Sequence, residues 1–201
     1  MAVISNGTTL IDNGILDAAV PSGKMILLST QTASASATIS FTSGIDSTYD
    51  SYVFKFINIH PSADGAVFHF NMSTDGGSNY NVTKTTTVFQ SEHDEADTST
   101  ALSYNTSHDL AQSTAFQLLV NYAGNGNDEN TSGTLTLFNP SSTTYVKHFI
   151  SDSNVYHADD FMQNWKAAGY GNTTSAINAI QFKFASGNID SGVIKLYGIG
   201  G

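Results

Sequence analysis

The sequence predicts an all-β protein, built as one antiparallel, jelly-roll-like β-sandwich with an irregular N-terminal arm. Ser, Thr and Asn make up 65 of the 201 residues, alongside 17 Gly, and these residues favour strands and turns over long helices. Apolar and polar residues alternate along much of the chain after Met25, which is the period of a half-buried strand. Turn-forming residues separate these segments at regular spacing, as in sandwiches and barrels. We therefore expect an arm at 1–24 and one sandwich domain at 25–201, with less than about 10% helix.

The arm contains three pairs of neighbouring apolar residues, separated by two Asn-Gly turn signals, Asn6-Gly7 and Asn13-Gly14. These pairs have too little apolar surface to fold by themselves. We expect the arm to dock on the domain or on a neighbouring subunit.

The domain begins with a short apolar run and continues with segments of alternating pattern. We expect strands at 25–30, 35–42, 51–60, 66–72, 80–90, 114–122, 132–138, 144–151, 161–170, 178–185 and 192–199. The segment 51–60 is apolar on both faces, which predicts a central strand or one covered by a partner.

The breaks between strands follow from turn chemistry. Asp75-Gly76-Gly77 predicts a tight turn because Gly readily adopts positive φ, and Asn139-Pro140 predicts another because Pro presets φ. The Asn- and Gly-rich stretch 124–130 separates two further strands. Residues 91–113 lack alternation, so we expect a long exposed loop there, with one helical turn at 105–112.

The charge balance excludes several classes of partner. Seven Lys and no Arg stand against 17 Asp and Glu, giving a net charge of −10. Binding to nucleic acid or to an anionic membrane needs clustered cations, so neither is expected. No apolar run approaches the ~20 residues of a membrane span, and the first residues lack the basic and apolar regions of a signal peptide. We therefore expect synthesis in a cytoplasm.

The sequence predicts no metal and no organic cofactor. There is no Cys, which excludes disulfides and thiolate ligands. No two His are spaced i, i+2, the spacing that places two ligands on one face of a strand. A surface Ca²⁺ site would use the oxygens of 125–130 or of 94–97, but neither stretch has the order of an EF-hand loop, and turn formation explains both. The six His lie at positions 60, 69, 93, 108, 148 and 157.

The sequence also predicts that the protein is not an enzyme. It contains no Gly-x-Ser-x-Gly motif, no Cys nucleophile and no evident pair of opposed carboxylates. The Asp and Glu residues fall mostly in segments expected to be turns, where Asp bonds the backbone. We therefore assign no catalytic, cofactor-binding or metal-binding residue.

Five aromatic residues raise the possibility of a stacking platform for sugars. Such residues also lie half-buried at sandwich edges for packing alone. Trp165 has the small residues Ala167 and Gly169 on its own face of the strand, and we therefore expect it to be a core residue. The five are Trp165, Tyr170, Tyr156, Tyr122 and Tyr197.

Three stretches resemble a group of structural proteins from the virions of tailed, particularly marine, bacteriophages. They are the turn Ser73–Tyr80 (STDGGSNY), the turn Phe138–Thr144 (FNPSSTT), and the end of the chain, which runs from Gln181–Phe184 (QFKF) through Ser186–Ile189 (SGNI) to Ile194–Ile199 (IKLYGI). The resemblance spans most of 25–199. It consists of turn and strand patterns, so it implies a virion β-sandwich and carries over no functional residue.

The resemblance implies a virion structural protein, made in the host bacterial cytoplasm. The low charge, the absence of Cys and of catalytic motifs, and the apolar arm agree with a non-enzymatic β module built for assembly. It would form a homo-oligomer, with a trimer as one arrangement, and contact other virion proteins in a capsid decoration or in the tail and its fibres. The alternative is a carbohydrate-binding module that attaches to host-surface glycans. A glycan-cleaving enzyme is a third and weaker alternative.

Overall fold

The computed structural model describes residues 3–5, 8–12, 15–16 and 25–200. About 60% of the chain is in strands, and the described residues contain no helix, so the all-β prediction is confirmed. The described residues accordingly include no helix able to cross a membrane. The domain has twelve strands: β4 (Met25–Ser36), β5 (Ile39–Phe41), β6 (Ser51–Pro61), β7 (Ala66–Ser73), β8 (Lys84–Asp94), β9 (Thr100–Tyr104), β10 (Gln117–Ala123), β11 (Thr131–Phe138), β12 (Lys147–His157), β13 (Phe161–Gly171), β14 (Ala179–Phe184) and β15 (Ile189–Ile199).

Eight of these strands form a jelly roll. One sheet has the order β4-β15-β6-β11 and the other has the order β5-β14-β7-β10, with antiparallel pairing throughout. Counted 1 to 8 along the chain, these orders are 1-8-3-6 and 2-7-4-5, the arrangement of two interlocked Greek keys. The predicted jelly-roll-like sandwich is therefore confirmed.

Two insertions enlarge the first sheet. The hairpin β12–β13 follows β11, and the hairpin β8–β9 lies between β7 and β10 in sequence. β12 pairs with β11 and with β13, β13 pairs with β8, and β8 pairs with β9. The result is a run of eight strands, β4-β15-β6-β11-β12-β13-β8-β9, whose last four form a wing beyond the jelly roll. A bridge between Ala123 of β10 and His157 of β12 joins this run to the other sheet, so the twelve strands make one nearly closed antiparallel sheet.

The core lies between the two sheets and is rich in phenylalanine. Phe182 of β14 lies at its centre, with ring centroids 5.2 Å from Phe56 and 5.4 Å from Phe54 on the opposite sheet. Phe70 of β7 meets Phe149 of β12 edge to face at 5.0 Å, which joins the wing to the same core. These contacts explain why alternate positions of the strands are apolar.

The arm differs from the irregular segment that the sequence predicts. Its described residues form a small antiparallel sheet of β1 (Val3–Ser5), β2 (Thr8–Asp12) and β3 (Ile15–Leu16). The two Asn-Gly turn signals lie outside the described residues. A sheet with strands of only two to five residues has little apolar surface to bury, so its stability on its own is low. Docking of the arm on the domain or on a neighbouring subunit therefore stays a prediction.

The expected loop at 91–113 is wrong. β8 continues to Asp94, a turn follows, and β9 returns along β8 as far as Tyr104; the helical turn expected at 105–112 is absent, and 106–108 form a simple turn. All five residues of β9 are exposed. A strand that is exposed to solvent on both faces needs no alternation of apolar and polar residues, so the sequence pattern did not predict β9.

Two further differences from the predicted strands, one in a boundary and one in the face that a residue occupies, arise at residues with positive φ. The predicted strand 35–42 is divided: Ala35 has a φ of 46°, β4 ends at Ser36, and β5 begins at Ile39 in the other sheet. In β6, Asn58 has a φ of 51°, and Ile59 becomes fully buried instead of sharing a face with the exposed Ile57. The central position predicted for this strand is confirmed, since β6 pairs on both edges.

Candidate functional site

The outer edge of β4 is the first candidate site. β4 pairs with β15 on one side, and no described strand pairs with its other side. It is twelve residues long and exposed over most of its length, including Met25, Ile26 and Leu27. A row of unpaired backbone N–H and C=O groups is a template for pairing with another chain.

β4 lacks three of the features that keep an edge strand unpaired, although a β-bulge at Leu28 interrupts its pairing with β15. Proteins protect such strands with Lys, Pro or very short length. No charged residue and no Pro occurs in 25–45, whereas the opposite sheet ends in β5, which has only three residues. The net charge of −10 would repel identical copies in general, but this edge carries none of it.

The second candidate site is a groove on the outer face of the wing, which we call the outer groove. Its volume is about 620 Å³, within the range of ~300–1,000 Å³ typical of small-ligand clefts. It crosses the ends of four strands, where the β12–β13 turn, the 124–130 loop and the β8–β9 turn lie. Its lining residues are His93, Asp94, Glu95, Asp128, Asn130, Ser132, Asn154, Val155, Tyr156, Phe161 and Met162.

Strand register explains how this set assembles. Asn130, at the start of β11, accepts a backbone hydrogen bond from Tyr156 N at 3.0 Å. Tyr156 of β12 is opposite Met162 of β13, which is opposite His93 of β8. One row of side chains therefore crosses four strands that are far apart in sequence.

Tyr156 is held in place at one wall. Its hydroxyl donates to Oε1 of Glu95 at 2.9 Å and lies 3.3 Å from Oδ1 of Asp160. The Glu95 carboxylate raises the pKa of the Tyr156 phenol to about 12, so the hydroxyl stays protonated at neutral pH.

The five aromatic residues considered from the sequence do not form one platform. Trp165 is 1% exposed and donates its indole N–H to Oε1 of Gln163 at 2.9 Å, so its expected place in the core is confirmed. Tyr156 lines the outer groove, and Tyr170 lies near the opposite end of the same sheet, beside His148. Tyr122 stacks on His157 at 4.7 Å, and Tyr197 lies beneath Lys55 at 5.5 Å.

The acidic turns considered for Ca²⁺ use their carboxylates as turn acceptors. Asp94 Oδ1 accepts from the backbone N–H groups of Thr98 and Ser99, at 2.9 and 2.8 Å. Glu129 Oε2 accepts from Gly126 N at 2.5 Å. Across the described residues, no three His, Asp or Glu side chains converge as metal ligands.

The six His are dispersed through the fold. His69 is mostly buried, and desolvation, with a contribution from Lys183, lowers its pKa to about 4. His60 lies 3.1 Å from the carbonyl of Gly126, and His93 lies 3.0 Å from Asp97. His108, His148 and His157 each lie against an aromatic ring.

Two fully buried lysines were missed by sequence reasoning. Lys84 Nζ donates to Asn71 Oδ1 at 2.6 Å and to Val82 O at 2.7 Å. Lys147 Nζ donates to Tyr145 O at 2.6 Å and lies 3.3 Å from Thr173 O. The sequence does contain a sign that Lys84 is buried. It lies between Val82 and Val88 on the apolar face of an alternating segment.

A scan against protein-family models found no match, and searches of curated proteins and of solved structures found no significant similarity.

Proposed function

We propose that this chain is a non-enzymatic structural protein of a tailed-phage particle that assembles with further copies of itself through the outer edge of β4. It serves as a capsid decoration or as a component of the tail and its fibres. The observation that carries the assembly proposal is the outer edge of β4, which is long, carries no charged residue and pairs with no other described strand. The sequence resemblance described above supports the virion assignment, and the jelly roll, a fold used by viral capsid domains, is compatible with it by analogy.

The partner of β4 is a second copy of the same strand, in antiparallel orientation. Antiparallel self-pairing relates two copies by a two-fold axis, so the same patch is used twice. It brings no like charges together, because 25–45 contains none. The wider assembly adds further contacts to this pairwise unit.

The first experiment measures association across a concentration series by sedimentation velocity. We expect a concentration-dependent dimer or larger species, weakened at least tenfold by Thr32→Lys, because a charge on the edge resists pairing. Thr87→Lys is the matched control, since Thr87 is also an exposed strand residue but lies on β8. A chain that stays monomeric at all concentrations, or equal effects of both substitutions, would contradict the β4 interface.

A second experiment tests the antiparallel geometry. The chain has no Cys, so single-Cys variants at successive positions 27–32 form disulfides only between copies. In antiparallel self-pairing, only positions next to the two-fold axis cross-link with themselves under mild oxidation. Cross-linking spread evenly over all positions would reject an ordered β4 pair.

The virion assignment has its own measurement. Quantitative mass spectrometry of purified particles should detect the chain at a fixed copy number, high for a capsid decoration and low for a tail component. Its absence from purified particles would overturn the virion assignment while leaving the β4 interface unaffected.

A further inference from the structure

We propose that the outer groove is a binding site for a neutral saccharide. This inference goes beyond the proposed function and does not rest on it. It rests on the shape of the groove, on its apolar floor, on its polar rim and on the sign of its charge.

The floor offers an apolar surface of limited size. Met162 is 51% exposed on the outer face of β13, and it lies next to Tyr156 and near Phe161. A pyranose ring has one face of C–H groups that needs such a surface. Tyr156 supplies a broad ring at low cost in side-chain entropy, and its hydroxyl is already fixed by Glu95.

The rim offers hydrogen-bonding groups that the described residues leave free. Oδ1 of Asn154 accepts from Asn164 at 2.8 Å, but its amide N–H groups have no acceptor among the described side chains and backbone. Within the same described set, the carboxylate of Asp128 and Oδ1 of Asn130 accept no hydrogen bond. Planar amide and carboxylate groups around an apolar floor match the alternating hydroxyl groups and C–H faces of a sugar.

The charge of the groove selects against anionic ligands. Asp94, Glu95 and Asp128 line it, none of the lining residues that the structure describes is a Lys, and the chain has no Arg. Phosphates, sulfated sugars and uronic acids would meet unfavourable potential here. An uncharged saccharide would meet no such electrostatic repulsion.

The site is compatible with the β4 interface. The groove lies on strands β11, β12, β13 and β8, and β15 and β6 separate β11 from β4. Three strand spacings of about 4.8 Å place β11 about 14 Å from the edge of β4. A copy paired at β4 therefore leaves the groove open.

The experiment uses the full chain labelled with [¹³C-methyl]methionine and a panel of neutral oligosaccharides built from glucose, galactose, mannose or N-acetylglucosamine. The chain has four Met, so Met162 reports on the groove and the fully buried Met72 serves as an internal control. We expect at least one oligosaccharide to shift the Met162 methyl signal saturably, while the Met72 signal stays in place. The proposal would be overturned if no oligosaccharide of the panel shifted the Met162 signal saturably at concentrations up to about 10 mM. A dissociation constant of about 10 mM corresponds to a binding free energy of only about −3 kcal/mol.

Variants test whether the groove residues carry the binding. Asn154→Ala and Tyr156→Phe should each weaken binding of the responding oligosaccharide, and Tyr156→Ala should weaken it at least tenfold. Tyr145→Ala is the control, because Tyr145 is 68% exposed and lies outside the groove. Thermal melting of each variant separates loss of binding from loss of fold. Equal binding by folded Tyr156→Ala and by the unaltered chain would overturn the site, as would a preference for a sialylated or sulfated analogue over its neutral parent.

Discussion

The ammonium group of Lys84 lies 2.6 Å from Oδ1 of Asn71, and both side chains are fully buried between β7 and β8. Asn71 also donates its amide N–H groups to the carbonyls of Tyr80 and Thr114, at 2.7 and 3.0 Å. This network ties the jelly roll to the start of the β8–β9 insertion. Lys84 makes no ion pair among the described residues, so burial lowers its pKa to about 7.

We predict that stability rises with pH between about 7 and 10 because of Lys84. Its folded pKa of about 7 lies below its value of 10.5 in the unfolded chain, so in this window unfolding takes up a proton. The slope from one such group approaches about 1.4 kcal/mol per pH unit. Urea denaturation from pH 7 to 10 should show this rise, and Lys84→Met should flatten it. Lys166→Met, at an exposed lysine, should leave the slope in place; parallel profiles for the unaltered chain and Lys84→Met would contradict the prediction.

We predict that Trp165→Ala costs about 3–5 kcal/mol of unfolding free energy, because it removes a fully buried indole. It also leaves Gln163 Oε1 without its indole donor. Chemical denaturation measures the change. Tyr145→Ala, at an exposed ring, should change stability by less than about 0.5 kcal/mol. A well-folded Trp165→Ala protein of unchanged stability would show that the ring is not a core anchor.

We predict that the turn at 73–79 weakens in acid through Asp75. Its carboxylate accepts from Ser73 Oγ at 2.6 Å and from Asn79 N at 2.9 Å, and these bonds lower its pKa to about 2. Since the folded pKa is depressed, the stabilisation is complete above about pH 4 and is lost between about pH 4 and 2. Asp75→Asn should reduce the loss of stability over this window in urea titrations. Asp128→Asn, at an exposed loop position, should not reduce it.

We predict that folding needs no metal. The carboxylates of Asp94 and Glu129 are engaged by backbone N–H groups of their own turns, which leaves them poorly placed for Ca²⁺. The melting temperature with and without EDTA should agree within about 2 °C, which for a chain of this size corresponds to about 0.5–1 kcal/mol. A larger drop on chelation would reveal a structural ion.

We predict that deletion of residues 1–20 weakens assembly more than it weakens folding of the domain. The arm forms its own small sheet, and Val3 and Ile4 are 46% and 61% exposed on it. Apolar surface of this kind gains free energy by docking against a neighbour. Sedimentation and thermal melting of the truncated chain separate the two effects. Unchanged association and unchanged loading onto particles would show that the arm has no assembly role.

Local sequence pattern was enough to predict the features that depend on neighbouring residues. Alternation and turn residues predict the all-β class and most strands, and the two apolar faces of 51–60 predict the central position of β6. The small neighbours of Trp165 predict its burial. These inferences succeed because strand period, turn chemistry and burial are encoded within a few residues.

Contacts that depend on the register between distant strands became visible only in the folded chain. Tyr156, Met162 and His93 form one row only because β12, β13 and β8 pair in a particular register, and a shift of one residue would turn each side chain to the other face. Asn71 and Lys84 meet for the same reason, across the start of an insertion. Strand β9 was not predicted because a strand exposed on both faces carries no hydrophobic alternation. Burial patterns therefore predict which residues form the core, whereas strand pairing alone determines which surface residues are neighbours.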